Sequence, residues 1–297
     1  MITYNKALFL YNGNAGKKDI ERKLSLTVPV LSQAIKELTI LQTETLEEAR
    51  RVCVEYAEKI DLLIILGGDG TIHTCINSIA PLDKRPIIAI LPGGTSNDFC
   101  RTLGIPQNLK AAANAIVNGS VIDIDIGKSN DNYFLNFWGI GLVAETSQNI
   151  DETQKKNLGV LSYFLSTVKT FSQAESFSYT ITTNEGEFNG EAVLIFVLNG
   201  NYIGTQEIPV GTLSPMDGKM NVLIIENSNF ASFRELLAMN NPRMDAEDFQ
   251  ELSHFAVNEL KIKTNKPKKI DMDGELYTST PADITTLAGH IRIIGNL

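Results

Sequence analysis

The residue types with most chemical promise sit in two glycine turns and one acidic run. The first turn, Gly67-Gly68-Asp69-Gly70-Thr71, follows the apolar stretch 62–66 directly. Its three glycines let the chain reverse with almost no side chains, and Asp69 places a negative charge inside the turn. Past Thr71, Ile72, Ile76 and Ile79 recur at helical spacing, which predicts strand, glycine turn and helix start in succession. That order aims unpaired backbone N–H groups at an anion, with the helix dipole assisting. Asp69 then needs a cation, a hydroxyl or a free N–H beside it; the plain structural alternative is a tight turn with Asp69 as a cap. The second turn, Pro92-Gly93-Gly94-Thr95-Ser96-Asn97-Asp98-Phe99, follows another apolar strand at 87–91. No helix can start there before Thr95, and the Thr, Asn and Asp side chains supply several caps. Two consecutive βα units thus bring glycine turns to one edge of a parallel sheet. In open α/β sheets that edge, beyond the carboxyl ends of the strands, is where ligands bind.

Asp271-Met272-Asp273-Gly274-Glu275 follows a basic segment, 261–269. Three carboxylates around one glycine read most simply as a solvated hairpin. Beside a phosphate site they also supply the base that accepts a proton from an alcohol attacking a terminal phosphate. Asp217, within Ser214-Pro215-Met216-Asp217-Gly218-Lys219, is a turn residue or a hard-cation ligand alongside nearby carbonyls. Lys261, Lys263, Lys266, Lys268 and Lys269 form the densest basic cluster. They make a wet strand edge, or a surface for anionic headgroups at about 1 kcal/mol per charge.

Other patterns exclude chemistry. The small-residue turn at 12–17 lacks the full GxxxxGK[ST] spacing. Gly139-Ile140-Gly141 with Ala144 fits G-x-G-x-x-A, but no second strand ending in an acid follows, so a close-packed turn is expected. His73, His254 and His290 are isolated, which argues against zinc, and no G-x-S-x-G elbow is present.

The elements that must position these residues divide into two styles. Before residue 127 the pattern alternates strands and helices. Strands are expected at 7–11, 39–42, 62–66 and 87–91, and helices at 24–38 (Pro29 near the start), 45–60, 72–79 and 109–117. After it come strands at 121–126, 133–138, 177–183, 190–198, 220–225 and 260–264, with turns at 184–186 and 217–218. Helical inserts are expected near 158–171 and 230–239, and a polar loop at 240–249. Sparse helices and alternating patterns there indicate antiparallel β structure. A length of 297 residues suits about two domains. A net charge of -9 argues against a nucleic-acid binder. Cys53, Cys75 and Cys100 read as buried free thiols of a reducing compartment. With no visible signal peptide and no spanning apolar run, the expected location is the cytoplasm, at most peripheral to a membrane.

On these residues the chain resembles the diacylglycerol/sphingosine kinase catalytic family, specifically its bacterial soluble lipid kinases. The likeness runs nearly end to end: 12–16, Thr43, Gly67 to Thr71 with Asn77, Pro92 to Phe99 with Arg101 and Leu103-Gly104-Ile105-Pro106, then 136–144, Gly200, Ser214 to Gly218 and Asp273-Gly274-Glu275. The first glycine motif alone is shared with NAD kinases and phosphofructokinases; joined to G-G-T-x-N-D-F and a late D-G-E it is specific. The resemblance implies an α/β fold, with an N-terminal parallel-sheet α/β domain (1–127) and a larger antiparallel β-rich lipid-binding domain (128–297). It places the active site in the interdomain cleft and allows the last strand to return to the first domain. It implies ATP as co-substrate on Asn12, Thr43, Gly67, Gly68, Asp69, Gly70, Thr71, Ile72, His73, Gly94, Thr95, Asn97 and Asp98. Asp69 and Asp98 would join a water and Mg²⁺ network on the phosphates. Asp217, with main-chain oxygens of Ser214 and Lys219, would bind a structural metal. Glu275 and Asp273 would be the catalytic carboxylates, with Glu275 favoured as proton acceptor, though the sequence does not separate the two.

The implied partners are ATP, a lipid alcohol such as diacylglycerol and, transiently, a membrane surface, with no nucleic acid and a homodimer left open. Four positions depart from the family pattern: Gly13 stands where proline is usual, Thr74 for glutamate, and Val143 and Asn221 for aspartates. Two other readings stay open: a soluble-metabolite kinase such as NAD kinase, and a non-catalytic lipid- or nucleotide-sensing module.

Overall fold

The structure, a computed structural model, describes residues 4–13, 19–142, 175–208, 210, 213–227, 235 and 252–295. The helices expected at 158–171 and 230–239, the loop at 240–249, most of the 12–17 turn, Val143 and Ala144 lie outside them. The chain forms two compact units, Met1–Ile124 with Gly289–Leu297, and Asp125–Ala288.

The first unit holds β1 (Tyr4–Asn12), α1 (Ile20–Leu31), β2 (Ile35–Thr43), α2 (Leu46–Tyr56), β3 (Leu62–Gly67), α3 (Asp69–Ile79), β4 (Ile87–Pro92), α4 (Asp98–Thr102) and α5 (Leu109–Asn118). The strands run parallel in the order β2-β1-β3-β4. The chain enters β2 on one side of β1 and β3 on the other. Right-handed crossovers therefore send α1 and α2 to opposite faces; α1 packs with α5, and α2 with α3. Covered on both sides, β3 buries all of its residues, which is why its sequence is continuously apolar. Thr45 caps α2 by accepting the Glu48 N–H at 3.1 Å.

Two boundaries differ from expectation. The helix expected over 24–38 runs Ile20–Leu31, with Pro29 near its end, and β2 starts at Ile35. Proline offers no N–H to the preceding turn, so the helix stops soon after it. Leu31, Ile35 and Leu38 keep helical spacing across that break, and β2 buries only Ile35 and Thr43, so it shows no period-two signal. Further along, α3 starts at Asp69 rather than beyond Thr71, so Asp69 lies in the helix's first turn.

β5 (Ser120–Ser129) leads into the second unit, which holds β6 (Asn132–Phe134), β7 (Phe137–Gly141), β8 (Phe177–Thr183), β9 (Gly186–Ala192), β10 (Leu194–Leu198), β11 (Tyr202–Ile203), β12 (Gln206–Glu207), β13 (Met220–Ile225), β14 (Leu252–Val257), β15 (Glu259–Thr264), β16 (Lys269–Met272) and β17 (Glu275–Ser279). The final strand, β18 (Ala282–Gly295), begins in this unit and ends in the first, where Ile293 pairs in parallel with Ile88 of β4. One antiparallel sheet runs β14-β13-β10-β7-β16-β17; β15, between β18 and β8, and β9 beyond β8 form further antiparallel pairings. Trp138, Ile195 and Val222 from the first group and Phe177, Ile181 and Ile262 from the second share one buried core.

Three expectations are corrected here. The strand expected at 133–138 breaks into β6 and β7 between Phe134 and Phe137. The strand expected at 190–198 divides at Val193, with β9 pairing β8 and β10 pairing β7 and β13. The Gly139-to-Gly141 turn is strand β7 itself, and a Cβ on Gly141 (φ +85°) would stand 2.3 Å from the Val193 carbonyl oxygen. All three cysteines are free and buried. A hydrogen bond with Cys53, together with burial, pushes the Cys75 thiol up; burial, then the nearby Asp69 charge, does the same to Cys100. Such thiols are poor nucleophiles.

Candidate active site

The two glycine turns meet backbone to backbone. Gly67, the last residue of β3, pairs with Pro92, the last of β4, and the Gly93 N–H donates to the Gly67 carbonyl at 2.8 Å. A Cβ on Gly94 would stand 2.5 Å from Gly68 Cα, and one on Gly93 would stand 2.9 Å from the Gly67 nitrogen. Close approach, more than backbone conformation, is what requires glycine here. Gly94→Ala is therefore expected to cost about 1–3 kcal/mol by forcing the turns apart. A urea midpoint equal to the parent's would show that the turns separate freely.

Beside the joined turns lies a cleft of about 350 Å³ lined by Asn12, Ile20, Lys23, Leu46, Leu66, the Gly67-to-Thr71 turn, Gly93 and Gly94. The first turn of α3 opens onto it, bringing the positive end of the helix dipole. Asp69 Oδ1 accepts the Phe99 N–H of α4 at 3.4 Å, a long bond that links the first turns of the two helices. Asn97 (φ 50°) clamps the second turn: its Oδ1 accepts the Gly94 N–H at 2.8 Å, and its Nδ2 donates to the Gly94 carbonyl and to Gln107 Oε1. Asp98 is buried in the first turn of α4, while Gly94 and Thr95 are exposed.

Of the residues singled out in the sequence, Asn12, the Gly67-to-Thr71 turn and Gly94 come together on this cleft. Three others turn inward. Thr43 is fully buried and donates to the Tyr11 carbonyl at 3.3 Å, tying β2 to β1. Ile72 and His73 lie on the buried side of α3, where the Asn77 amide donates to the His73 carbonyl and bonds its ring. Lys23, which the sequence did not single out, reaches the cleft from α1 and donates from Nζ to the Gly93 carbonyl at 3.1 Å. Its position among the charged residues from Lys17 to Lys23 gives no distinguishing signal.

In the second unit the three acids do three different things. Met272 pairs with Glu275, leaving Asp273 (φ 54°) and Gly274 (φ 89°) as a two-residue hairpin loop of the I′ kind. Asp271, fully buried, accepts the Gly274 N–H at 2.8 Å and closes that loop. Asp273 accepts the backbone N–H of Leu135 on Oδ2 and those of Asn136 and Phe137 on Oδ1, at 2.8, 2.8 and 3.0 Å. These are the amides at the break between β6 and β7, so the carboxylate stands where a strand ladder would have continued. Glu275 is exposed, and its carboxylate has no hydrogen bond or ion pair among the described residues. The Asn136 carbonyl accepts the N–H groups of Asn199 and Gly200, both at 2.9 Å, so this segment is held from a second side.

The loop from Ser214 to Lys219 is fastened by Asp125, a residue the sequence reading passed over. Asp125, 2% exposed, accepts the Gly218 N–H on Oδ2 at 2.7 Å and donates its own N–H to the Pro215 carbonyl. Asp217 is exposed, with Oδ1 accepting the Lys219 N–H at 3.0 Å. No group of three or more His, Cys, Asp or Glu side chains poised for a metal occurs among the described residues.

The model of the diacylglycerol kinase catalytic domain matches residues 6–129, and that of the YegS C-terminal NAD kinase beta sandwich-like domain matches 138–295. A protein of Staphylococcus carnosus (strain TM300) named "Putative lipid kinase" is 32% identical over 296 residues, spanning 98% of this chain and 97% of its own. A solved structure described as "a putative diacylglycerol kinase from Bacillus anthracis str. Sterne" superposes with a TM-score of 0.91 at 39% identity, covering 100% of this chain and 98% of that one. A further structure of a diacylglycerol kinase from Bacillus anthracis str. Sterne gives 0.86 at 36% identity, covering 100% and 99%.

Proposed function

The chain belongs to the family that joins a diacylglycerol kinase catalytic domain to a YegS-type C-terminal domain, and from that premise we propose an ATP-dependent lipid kinase that transfers the γ-phosphoryl group to the hydroxyl of diacylglycerol or a similar lipid. The observation that carries the proposal is the pair of glycine turns packed backbone on backbone around one cleft in the first unit. Amide N–H groups of the turns and the α3 dipole bind the triphosphate of ATP. Thr95 and Asn97 act from the second turn, Asn97 by fixing Gly94.

Mg²⁺ fits the donor set as a hard cation, with the carboxylates of Asp69 and Asp98 to hold it through water. When bound it neutralises charge on the phosphates. The exposed Asp217 carboxylate, with the Ser214 and Lys219 carbonyls, offers oxygen donors of the same kind for a structural ion. Glu275 accepts the proton of the lipid hydroxyl. Asp273 holds the hairpin that presents it. Most of the rate gain comes from positioning and charge stabilisation.

Transient contact with a membrane falls to Lys263, Lys266 and Lys269, all exposed. Lys261 is paired with Asp283 at 3.1 Å, which offsets one charge of the cluster, and Lys268 lies over the Phe177 ring. No helix among the described residues is long and apolar enough to cross a membrane.

The test is incubation with labelled ATP and a panel of micellar lipid alcohols, read by thin-layer separation. Transfer to at least one lipid is expected; ATP bound with no lipid labelled would favour the sensing module. The NAD kinase reading rests on the first glycine turn, Gly67 to Thr71, so NAD belongs in the panel as acceptor, and label on NAD alone would overturn the lipid reading. Asp69→Ala is expected to weaken Mg-ATP binding at least roughly tenfold by calorimetry. Unchanged affinity would reassign Asp69 to linking α3 and α4. Light scattering decides the homodimer.

A further inference from the structure

We propose that Lys23 is a phosphate-gripping residue of the nucleotide cleft, its ammonium moving from the Gly93 carbonyl onto a non-bridging oxygen of the β- or γ-phosphate; this rests on the reading of that cleft as the ATP site. Lys23 lies in the first turn of α1, and its Nζ is 3.1 Å from the Gly93 carbonyl oxygen, on the cleft that both glycine turns line. It is the only cation among the described residues that line the cleft, whose other polar side chains are Asn12, Asp69 and Thr71. Its neighbour Arg22 points elsewhere and is paired with Asp19 at 2.7 and 3.0 Å. Lys23 makes no ion pair with a carboxylate among the described residues, although the chain carries a net charge of -9. Leaving a carboxylate would oppose its transfer to phosphate far more than leaving a neutral carbonyl does. An ammonium has three donors, and the carbonyl takes one, so phosphate can be engaged before Gly93 is released. The plain alternative is a staple that fastens α1 to the second turn.

The experiment compares Lys23→Met and Lys23→Arg with the parent in the full chain. Calorimetry measures Mg-ATP and AMP at low and moderate salt, thermal melting is recorded without nucleotide, and Gly94→Val serves as a cleft control. Lys23→Met is expected to raise the Kd for Mg-ATP at least roughly tenfold and to flatten its salt dependence, while AMP changes less than about twofold. Lys23→Arg is expected to recover most of the loss. Equal losses for ATP and AMP, or an arginine variant no better than methionine with a lowered melting midpoint, would show a staple and overturn the proposal. If Gly94→Val abolishes ATP binding and Lys23→Met leaves it intact, Lys23 alone is removed from the site. If ATP affinity ignores both changes, the nucleotide cleft itself is misplaced.

Discussion

Glu275→Gln is expected to lower kcat by roughly 10²–10⁴ while nucleotide affinity and the melting midpoint stay at parental values. The substitution keeps the shape and removes the ability to take a proton. Glu275 begins β17, one residue beyond a two-residue hairpin loop, so its backbone is fixed while its side chain remains exposed. With no partner for its carboxylate among the described residues, the side chain has little to contribute to folding. A loss confined to the chemical step is therefore the signature of a base. Full turnover would move the base elsewhere, and a fall in ATP affinity with kcat preserved would make Glu275 a binding residue.

The parts of this architecture readable in the sequence are those where local chemistry and tertiary position coincide. β3 and β4 are buried on both faces and end where backbones touch, so their apolar runs and terminal glycines announced both strand and turn. Less was readable where the deciding partner is remote. Nothing near 133–138 tells that its ladder stops for a carboxylate 138 residues on from Leu135. Val193 lies in a continuous β-compatible run, yet the chain changes strand partners there, because the core needs residues from both sides of it.

The site shows the same division. The glycine turns could be located because glycine is scarce in strands and helices and has few reasons to cluster. The inward placement of Thr43, Ile72 and His73 could not, since a motif gives order along the chain and says little about which atoms face the cleft. The surroundings of Asp273 and Glu275 separate only once the fold is visible: of two carboxylates two residues apart, the hairpin sets one against three backbone N–H groups and leaves the other exposed.

That separation makes a second strong prediction, for Asp273. Its carboxylate accepts three backbone N–H groups, from Leu135, Asn136 and Phe137, at 2.8–3.0 Å. Hydrogen bonds to a charged acceptor contribute about 1.5–3 kcal/mol each, and donors left without a partner add a penalty, but the group is half-buried and such terms do not simply add. Asp273→Ala is therefore expected to cost about 3 kcal/mol, part of it because alanine tolerates the φ of 54° poorly. Asp273→Asn is the cleaner probe: asparagine accepts that backbone conformation but keeps only one good acceptor, so about 2 kcal/mol is expected. Urea unfolding of the second unit gives the midpoint, and kcat measured on folded protein should fall as well, because the loop that presents Glu275 loosens. The pairing of the two readouts is what discriminates. A latch lowers midpoint and rate together, whereas Glu275→Gln lowers the rate alone. If Asp273→Asn keeps the parental midpoint yet abolishes turnover, Asp273 takes the proton itself and the two acids must exchange roles.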